Sequence, residues 1–137
     1  MTAKNPKAKA ITTLQKLVRL KAANDNGYCQ CVTCGTWKHW KECDAGHFIA
    51  KGHSSYWALR EENIHVQCKS CNGWGMRYGT AAIEYTRWME DFYGRDFVTY
   101  MLETKRHPIK YYKKDLLELI KAWNLQIKEQ IARIGDL

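Results

Sequence analysis

Two Cys-x-x-Cys pairs are the strongest chemical signal in this sequence. They are Cys31-x-x-Cys34, which glycine follows, and Cys68-x-x-Cys71, which asparagine follows. A turn of this kind directs two thiolates at one point, and two such turns make the closed tetrahedral site that holds a structural zinc ion. A closed site has no open position for water. We therefore expect this zinc to fix the chain between the two pairs and to take no part in catalysis.

Whether the cysteines bind metal or form disulfides depends on the compartment in which the chain folds. Six cysteines could form three disulfides in a secreted protein, but the N-terminus MTAKNPKAKA is basic and lacks an apolar signal core. Metal binding is the better interpretation of the two pairs. Cys29 and Cys43 remain, and we interpret them as buried thiols, with a role as alternative zinc ligands left open.

A second kind of polar residue lies between the two pairs, in the segments CDAGHF and EENIHVQC. A neutral histidine such as His47 can take a proton from water near pH 7. Phosphodiester hydrolysis needs such a base, and it needs a divalent cation to offset charge on the phosphate. Mg²⁺ prefers oxygen ligands and keeps several waters, so one carboxylate and one amide suffice. A strand ending at His47, a loop, a strand beginning at Asn63 and a helix opened by the second pair would form a ββα-metal arrangement.

Alternation along these strands indicates which side chains meet. In a short strand without a bulge, Asp44 and Gly46 face one way and His47 the other. On the run into Cys68, Asn63, His65 and Gln67 alternate in the same manner.

The motifs CVTCGT, DAGH, NIHVQC and CKSCN resemble those of the H-N-H nucleases and, more closely, of the phage lambda NinG (Rap) recombination nucleases. The similarity covers residues 31–72. It implies a metal-dependent endonuclease that acts on branched DNA, such as D-loops, Holliday junctions and forks, in the cytoplasm of a phage's bacterial host. It also implies that His47 is the general base, that Asn63 orients it and that Asn72 is a ligand of the catalytic Mg²⁺ or Mn²⁺.

The sequence departs from the H-N-H pattern just before the base, where most members have Asp or His. Gly46 occupies that position here. We assign the cation to Asp44, the nearest carboxylate, with His65 as the rival ligand. Arg77 stands in for a lysine that many H-N-H nucleases place after the second Cys pair.

Composition and charge indicate a polyanionic partner. The 137 residues contain 22 Lys and Arg against 14 Asp and Glu, a formal net charge of +8. One segment between Thr104 and Asp115 contains basic residues and no acid, which predicts phosphate contacts or, more simply, a solvated surface. We call this set the basic strip: Lys105, Arg106, Lys110, Lys113 and Lys114. No apolar run approaches the ~20 residues of a membrane span.

The length predicts a single domain, and the pattern of helical and extended segments predicts an α+β fold. The Cys pairs and the resemblance imply a zinc-stabilised, H-N-H-like core at 28–79. A basic N-terminal helix within 1–27, spanning about Lys7–Ala23, and a helical region at 80–137 flank this core. We expect the first C-terminal helix to end at Gly94, a short helix over Asp96–Glu103, and a third with Pro108 in its first turn. The third helix carries a regular apolar stripe, which predicts either a core face or a helix–helix seam, including that of a homodimer: Leu116, Ile120, Trp123, Ile127, Ile131 and Ile134.

Two other functions compete with a structure-selective nuclease. A non-catalytic zinc module could bind nucleic acid through its basic residues and six tryptophans, but it would not need His47, Asn63 and Asn72 at these spacings. A sequence-specific homing or restriction nuclease would normally need a further reading element.

Overall fold

The computed structural model describes residues 5–135. Its helices and strands follow in chain order: α1 (Pro6–Ala22), β1 (Tyr28–Gln30), β2 (Trp37–His39), β3 (Cys43–His47), β4 (Ile64–Cys68), a π-helical turn (Cys71–Gly75) that continues into the short α2 (Met76–Tyr78), α3 (Ala81–Tyr93), α4 (Arg95–Glu103) and α5 (Lys113–Ile134). The expected mixture of helices with a few short strands is confirmed, and each predicted helix before α5 begins and ends within a few residues of its predicted place.

The strands form two separate antiparallel pairs. In the first, β1 pairs with β2. In the second, β3 pairs with β4, so that Asp44 lies opposite Gln67 and Gly46 lies opposite His65. Because directly opposed residues of an antiparallel pair project from the same face, these four residues share one face of the β3–β4 pair.

The first and last helices pack together and cover the other face. Leu14 and Leu17 of α1 and Ile120 and Trp123 of α5 are buried in one cluster with residues of β3 and β4. At the end of α5, the Arg133 guanidinium donates hydrogen bonds to carbonyl oxygens of the last turn and cap of α1. The apolar stripe of α5 is therefore a core face within the chain, and the interpretation of this stripe as a homodimer seam is wrong.

A second apolar cluster joins α3 and α4 to the loop between β3 and β4. It contains Ile49 and Trp57 from the loop, Tyr85 and Met89 from α3, and residues of α4. The Trp57 indole Nε1 also donates to the backbone and side-chain oxygens of Thr104, the residue after α4, each at 3.2 Å. These contacts hold the β3–β4 loop against the C-terminal helices.

The prediction for Pro108 is wrong, since α5 begins only at Lys113. The backbone N–H of Tyr112 donates to the Asp115 carboxylate at 3.0 Å, which caps the helix at that point. The residues before it are held by the loop instead: the N–H of Ile109 donates to the Ser55 hydroxyl at 2.8 Å. Between residues 5 and 135, no helix combines the length and the apolar character needed to cross a membrane.

Candidate functional site

The two Cys-x-x-Cys pairs converge as their spacing predicts. The four Sγ atoms of Cys31, Cys34, Cys68 and Cys71 lie within 4.8 Å of one another, and those of Cys34 and Cys68 are 3.8 Å apart. Zn–S bonds of about 2.3 Å in a tetrahedron put the sulfurs about 3.8 Å apart. Burial opposes ionisation of Cys31, but hydrogen bonds from Thr33 and the backbone lower the pKa of this thiol to about 6. The cluster can therefore hold a zinc ion.

The two remaining cysteines bond to backbone rather than to this cluster. The Cys29 thiol donates to the carbonyl oxygen of Arg19 at 3.2 Å, and the Cys43 thiol donates to that of Lys38 at 3.7 Å. Burial raises the pKa of Cys29 to about 12. These contacts support the interpretation of both as buried thiols.

Asp44 and Asn72 meet on the face of the β3–β4 pair that also carries Gly46. The Asn72 amide donates to one carboxylate oxygen of Asp44 at 3.1 Å, and the Lys69 ammonium lies 2.8 Å from the other. Partial burial opposes ionisation of Asp44, but the contacts with Lys69 and Asn72 outweigh it and lower the pKa of the carboxyl group. A carboxylate and an amide oxygen on one cleft fit a hard divalent cation.

The cleft beside this pair is lined with cations that none of the sequence motifs singles out. Arg19, Lys41 and Lys69 line it together with Asp44 and Asn72. Lys69 lies between the cysteines of the second pair, so its proximity to that zinc site was a usable signal. Arg19 and Lys41 reach the cleft only through the packing of α1 and the turn before β3.

Gly46 is explained by what lies over its Cα. A Cβ built on Gly46 would be 1.8 Å from Oε1 of Gln67 and 2.6 Å from Oδ1 of Asn72. No side chain fits there unless both amides move. The departure from the H-N-H pattern is thus coupled to a buried glutamine on the opposite strand.

The ring of His47 is held by a single backbone carbonyl. Its Nε2 lies 3.0 Å from the carbonyl oxygen of Ala58. Because a carbonyl only accepts hydrogen bonds, Nε2 carries the proton in the neutral ring, and Nδ1 keeps its lone pair. Burial lowers the pKa of His47, against the carbonyl's effect and with help from the charge of Lys51. The ring is therefore neutral near pH 7, with Nδ1 free to accept a proton.

Asn63 requires a correction, because the hydrogen bonds of its amide go to backbone rather than to the His47 ring. Its Oδ1 accepts from the N–H of Ile49 at 2.7 Å, and its Nδ2 donates to the carbonyls of Ile49 and Trp57 at 2.9 and 3.1 Å. Asn63 is fully buried. It fixes the β3–β4 loop, whose Ala58 carbonyl in turn orients His47, so its effect on the base is indirect.

His65 also requires a correction, because neither ring nitrogen is left for a metal. Its Nδ1 lies 3.2 Å from the Tyr85 hydroxyl and its Nε2 lies 2.8 Å from the Tyr93 hydroxyl. The Tyr85 hydroxyl donates to the Gly46 carbonyl at 2.7 Å, so Nδ1 of His65 donates to Tyr85 and Nε2 accepts from Tyr93. Burial lowers the pKa of His65 to about 4. His65 is a neutral bridge between β4 and α3.

The predicted DNA-contact residues are exposed. Arg77 lies on α2, just beyond Asn72, and the side chains of the basic strip all face solvent. Within the strip, the Lys110 ammonium lies 5.2 Å from the ring centre of Tyr112. The segment that carries the strip hydrogen-bonds to the β3–β4 loop, as Ile109 does with Ser55, and the same loop orients His47.

These features belong to a known family of phage proteins. The family model described as Bacteriophage Lambda NinG protein matches residues 2–132. The chain therefore belongs to the NinG family, as its motifs predict. Comparison with curated proteins finds no match, and neither does comparison with solved structures.

Proposed function

We propose that this protein is a metal-dependent endonuclease that hydrolyses phosphodiester bonds in branched DNA recombination intermediates. The observation that carries the proposal is the geometry of His47. Its ring is neutral, its Nε2 is tied to the Ala58 carbonyl at 3.0 Å, and it ends β3 three residues after Asp44. Membership of the NinG family supports a role in phage recombination.

In this mechanism, Nδ1 of His47 takes a proton from the attacking water. The Ala58 carbonyl keeps Nδ1 in the accepting tautomer, and Asn63 keeps that carbonyl in place through the loop. Asp44 and Asn72 would hold a Mg²⁺ or Mn²⁺ ion, which when bound offsets the charge on the phosphate and the leaving oxygen. Zinc at the four cysteines would have a structural role only.

Charge and exposed aromatic rings around the cleft favour DNA as the substrate. Arg19 and Lys41 line the cleft and can contact phosphates on either side of the cleaved bond. Trp74 lies in the turn that carries Asn72, and Tyr78 is next to Arg77. Both rings are exposed. Aromatic rings of this kind stack on unpaired bases, and branch points present such bases.

Resolution of a four-way junction requires two cuts, which favours a homodimer. The apolar stripe of α5 is buried against α1, so a dimer would need a different surface.

One observation favours a non-catalytic alternative, the zinc-dependent nucleic-acid-binding module. Asp44 already pairs with Lys69 at 2.8 Å, as an ordinary ion pair on a binding surface would. Such a module would bind DNA without cleaving it.

Incubation with labelled linear, forked and four-way DNA separates the two functions. The zinc-loaded protein would be tested with Mg²⁺, with Mn²⁺ and after brief exposure to EDTA, with its zinc content measured afterwards. We expect cleavage of the branched substrates to exceed that of linear duplex, to need Mg²⁺ or Mn²⁺, and to stop in EDTA while zinc remains bound. Binding of every substrate without cleavage under any condition would contradict the nuclease and favour the binding module.

A further inference from the structure

We infer that Gln67 is a third oxygen ligand of the divalent cation held by Asp44 and Asn72, and that it replaces the side chain that Gly46 lacks. This inference rests on the proposed function, because it concerns the same cation. Gln67 belongs to the NIHVQC motif, but the resemblance assigns it no role.

The first argument is the burial of Gln67. Its side chain is completely buried, yet neither its Oε1 nor its Nε2 has a hydrogen-bond partner within the described part of the chain. Buried amides are almost always paired, because an unpaired one loses its bonds to water without compensation. A leucine would fill the same space without this cost. A cation can bind only the amide oxygen, so Oε1 is the unpaired atom that points to a metal ligand role.

The second argument is where the Gln67 oxygen lies. Gln67 is directly opposite Asp44, so both side chains project from one face of the β3–β4 pair. From the point where a Gly46 Cβ would be, Oε1 of Gln67 is 1.8 Å away and Oδ1 of Asn72 is 2.6 Å away, so these two oxygens are at most 4.4 Å apart. Oxygens that bind one Mg²⁺ at about 2.1 Å lie about 3 to 4.2 Å apart. The two amide oxygens are thus within reach of a shared cation.

The third argument is that Gly46 and Gln67 depend on each other. A side chain at position 46 would occupy the space that the Gln67 amide now fills. The position before His47 therefore has no side chain, and the opposite strand fills its place with an oxygen donor.

Equilibrium binding of Mn²⁺ tests the inference without any need for DNA cleavage. Free Mn²⁺ would be followed by electron paramagnetic resonance with the zinc-loaded full chain, for the parental protein, Asp44→Asn, Gln67→Leu and Val66→Ala. Val66 is the matched control, since it is buried and adjacent but projects from the opposite face of β4. We expect Gln67→Leu to weaken Mn²⁺ binding ~10-fold, with zinc content unchanged, and Val66→Ala to bind like the parental protein. Parental Mn²⁺ affinity in a folded Gln67→Leu protein would overturn the inference.

Gln67→Glu decides the matter if the leucine variant does not fold. A carboxylate of the same reach should keep or raise Mn²⁺ affinity, and added Mn²⁺ should raise the melting temperature by more than it does for the parental protein. A Gln67→Glu protein that binds Mn²⁺ more weakly than the parental protein would overturn the inference.

The outcome for Asp44→Asn separates this inference from the proposed function. If the parental protein binds no Mn²⁺, or if Asp44→Asn binds it as well as the parental protein does, the cation site of the proposed nuclease fails and the Gln67 assignment fails with it. If Asp44→Asn weakens binding and both Gln67 variants bind normally, only the Gln67 assignment fails.

Discussion

The four-cysteine cluster and the oxygen-lined cleft are built from neighbouring residues of the same two segments. In β4, Gln67 lies opposite Asp44 and Cys68 belongs to the cluster; in the π-helical turn, Cys71 belongs to the cluster and Asn72 lines the cleft. The cluster offers four sulfurs and no open position, whereas the cleft offers oxygens and is lined by cations. A zinc ion at the cluster would thus set the backbone of the residues that line the cleft.

The two regions also differ in how their groups are supported. The cysteine sulfurs accept hydrogen bonds from nearby backbone N–H groups, such as that of Cys71. The cleft depends on contacts distant in sequence, since Lys69 and Asn72 reach Asp44 from 25 and 28 residues away. Changes to the cluster should therefore disrupt both regions, and changes to the cleft should leave the cluster intact.

The largest effect is expected for Cys68→Ser, which removes a zinc ligand. Structural zinc contributes about 10–16 kcal/mol to small zinc-bound folds, so we expect loss of zinc and of cooperative unfolding. Zinc analysis and thermal denaturation measure this. Cys29→Ser, outside the cluster, is the control and should keep its zinc. Normal zinc content and stability in Cys68→Ser would refute the assignment of the cluster.

The next effect is expected for Asn63→Ala, which breaks the loop that orients His47. Three buried backbone groups would lose their amide partner, so the free energy of unfolding should fall by about 2–5 kcal/mol. Urea denaturation of the zinc-loaded protein measures the change. Zinc content should match that of the parental protein. A change in unfolding free energy below about 0.5 kcal/mol, the range of ordinary surface substitutions, would contradict the role given to Asn63.

A smaller effect is expected for Asp44→Asn, which keeps the shape of the cleft and removes its carboxylate charge. The Mn²⁺ concentration needed for half-maximal cleavage should rise ~10–100-fold, with partial rescue at high Mn²⁺ and unchanged zinc. Titration of cleavage against Mn²⁺ measures this. An unchanged Mn²⁺ dependence would remove Asp44 from the cation site.

The smallest effect is expected in the basic strip, which belongs to neither the cysteine cluster nor the cleft. Replacement of Lys110, Lys113 and Lys114 by Gln should lower the salt dependence of DNA binding, by ~0.9 in slope for each phosphate that the protein no longer neutralises. Charge reversal should weaken binding to all DNA structures alike. Titrations at ~50 to 200 mM salt measure the slope, with Lys121→Gln/Lys128→Gln on the same helix as control. If parental binding does not change with salt, the strip is only a solvated surface.

The features predicted well from sequence are those with short-range causes. The Cys-x-x-Cys spacing predicts the cluster, and the 3.6-residue period predicts the buried face of α5. The meeting of Asp44 with Asn72 followed from alternation along β3 combined with the family resemblance. The prediction for Pro108 failed because the Asp115 carboxylate caps α5 at Tyr112, while the N–H of Ile109 donates to distant Ser55.

The features that were missed depend on contacts between distant segments. Gly46 could be recognised as a departure, but its cause is the side chain of Gln67 on the opposite strand. His65 was a reasonable ligand candidate until Tyr85 and Tyr93, 20 and 28 residues away, occupied its two nitrogens. A sequence pattern does not show which distant side chain will hydrogen-bond to a given polar side chain.

The most direct test of the proposed mechanism is the cleavage of a labelled four-way junction by the His47→Ala protein. His53→Ala is the matched control, since His53 lies exposed in the loop that follows His47. We predict that His47→Ala keeps zinc, fold and junction binding while its cleavage rate falls ~10²–10⁴-fold, that added imidazole restores part of the rate, and that His53→Ala cleaves normally. A His47→Ala protein that cuts the junction at the parental rate would contradict the mechanism.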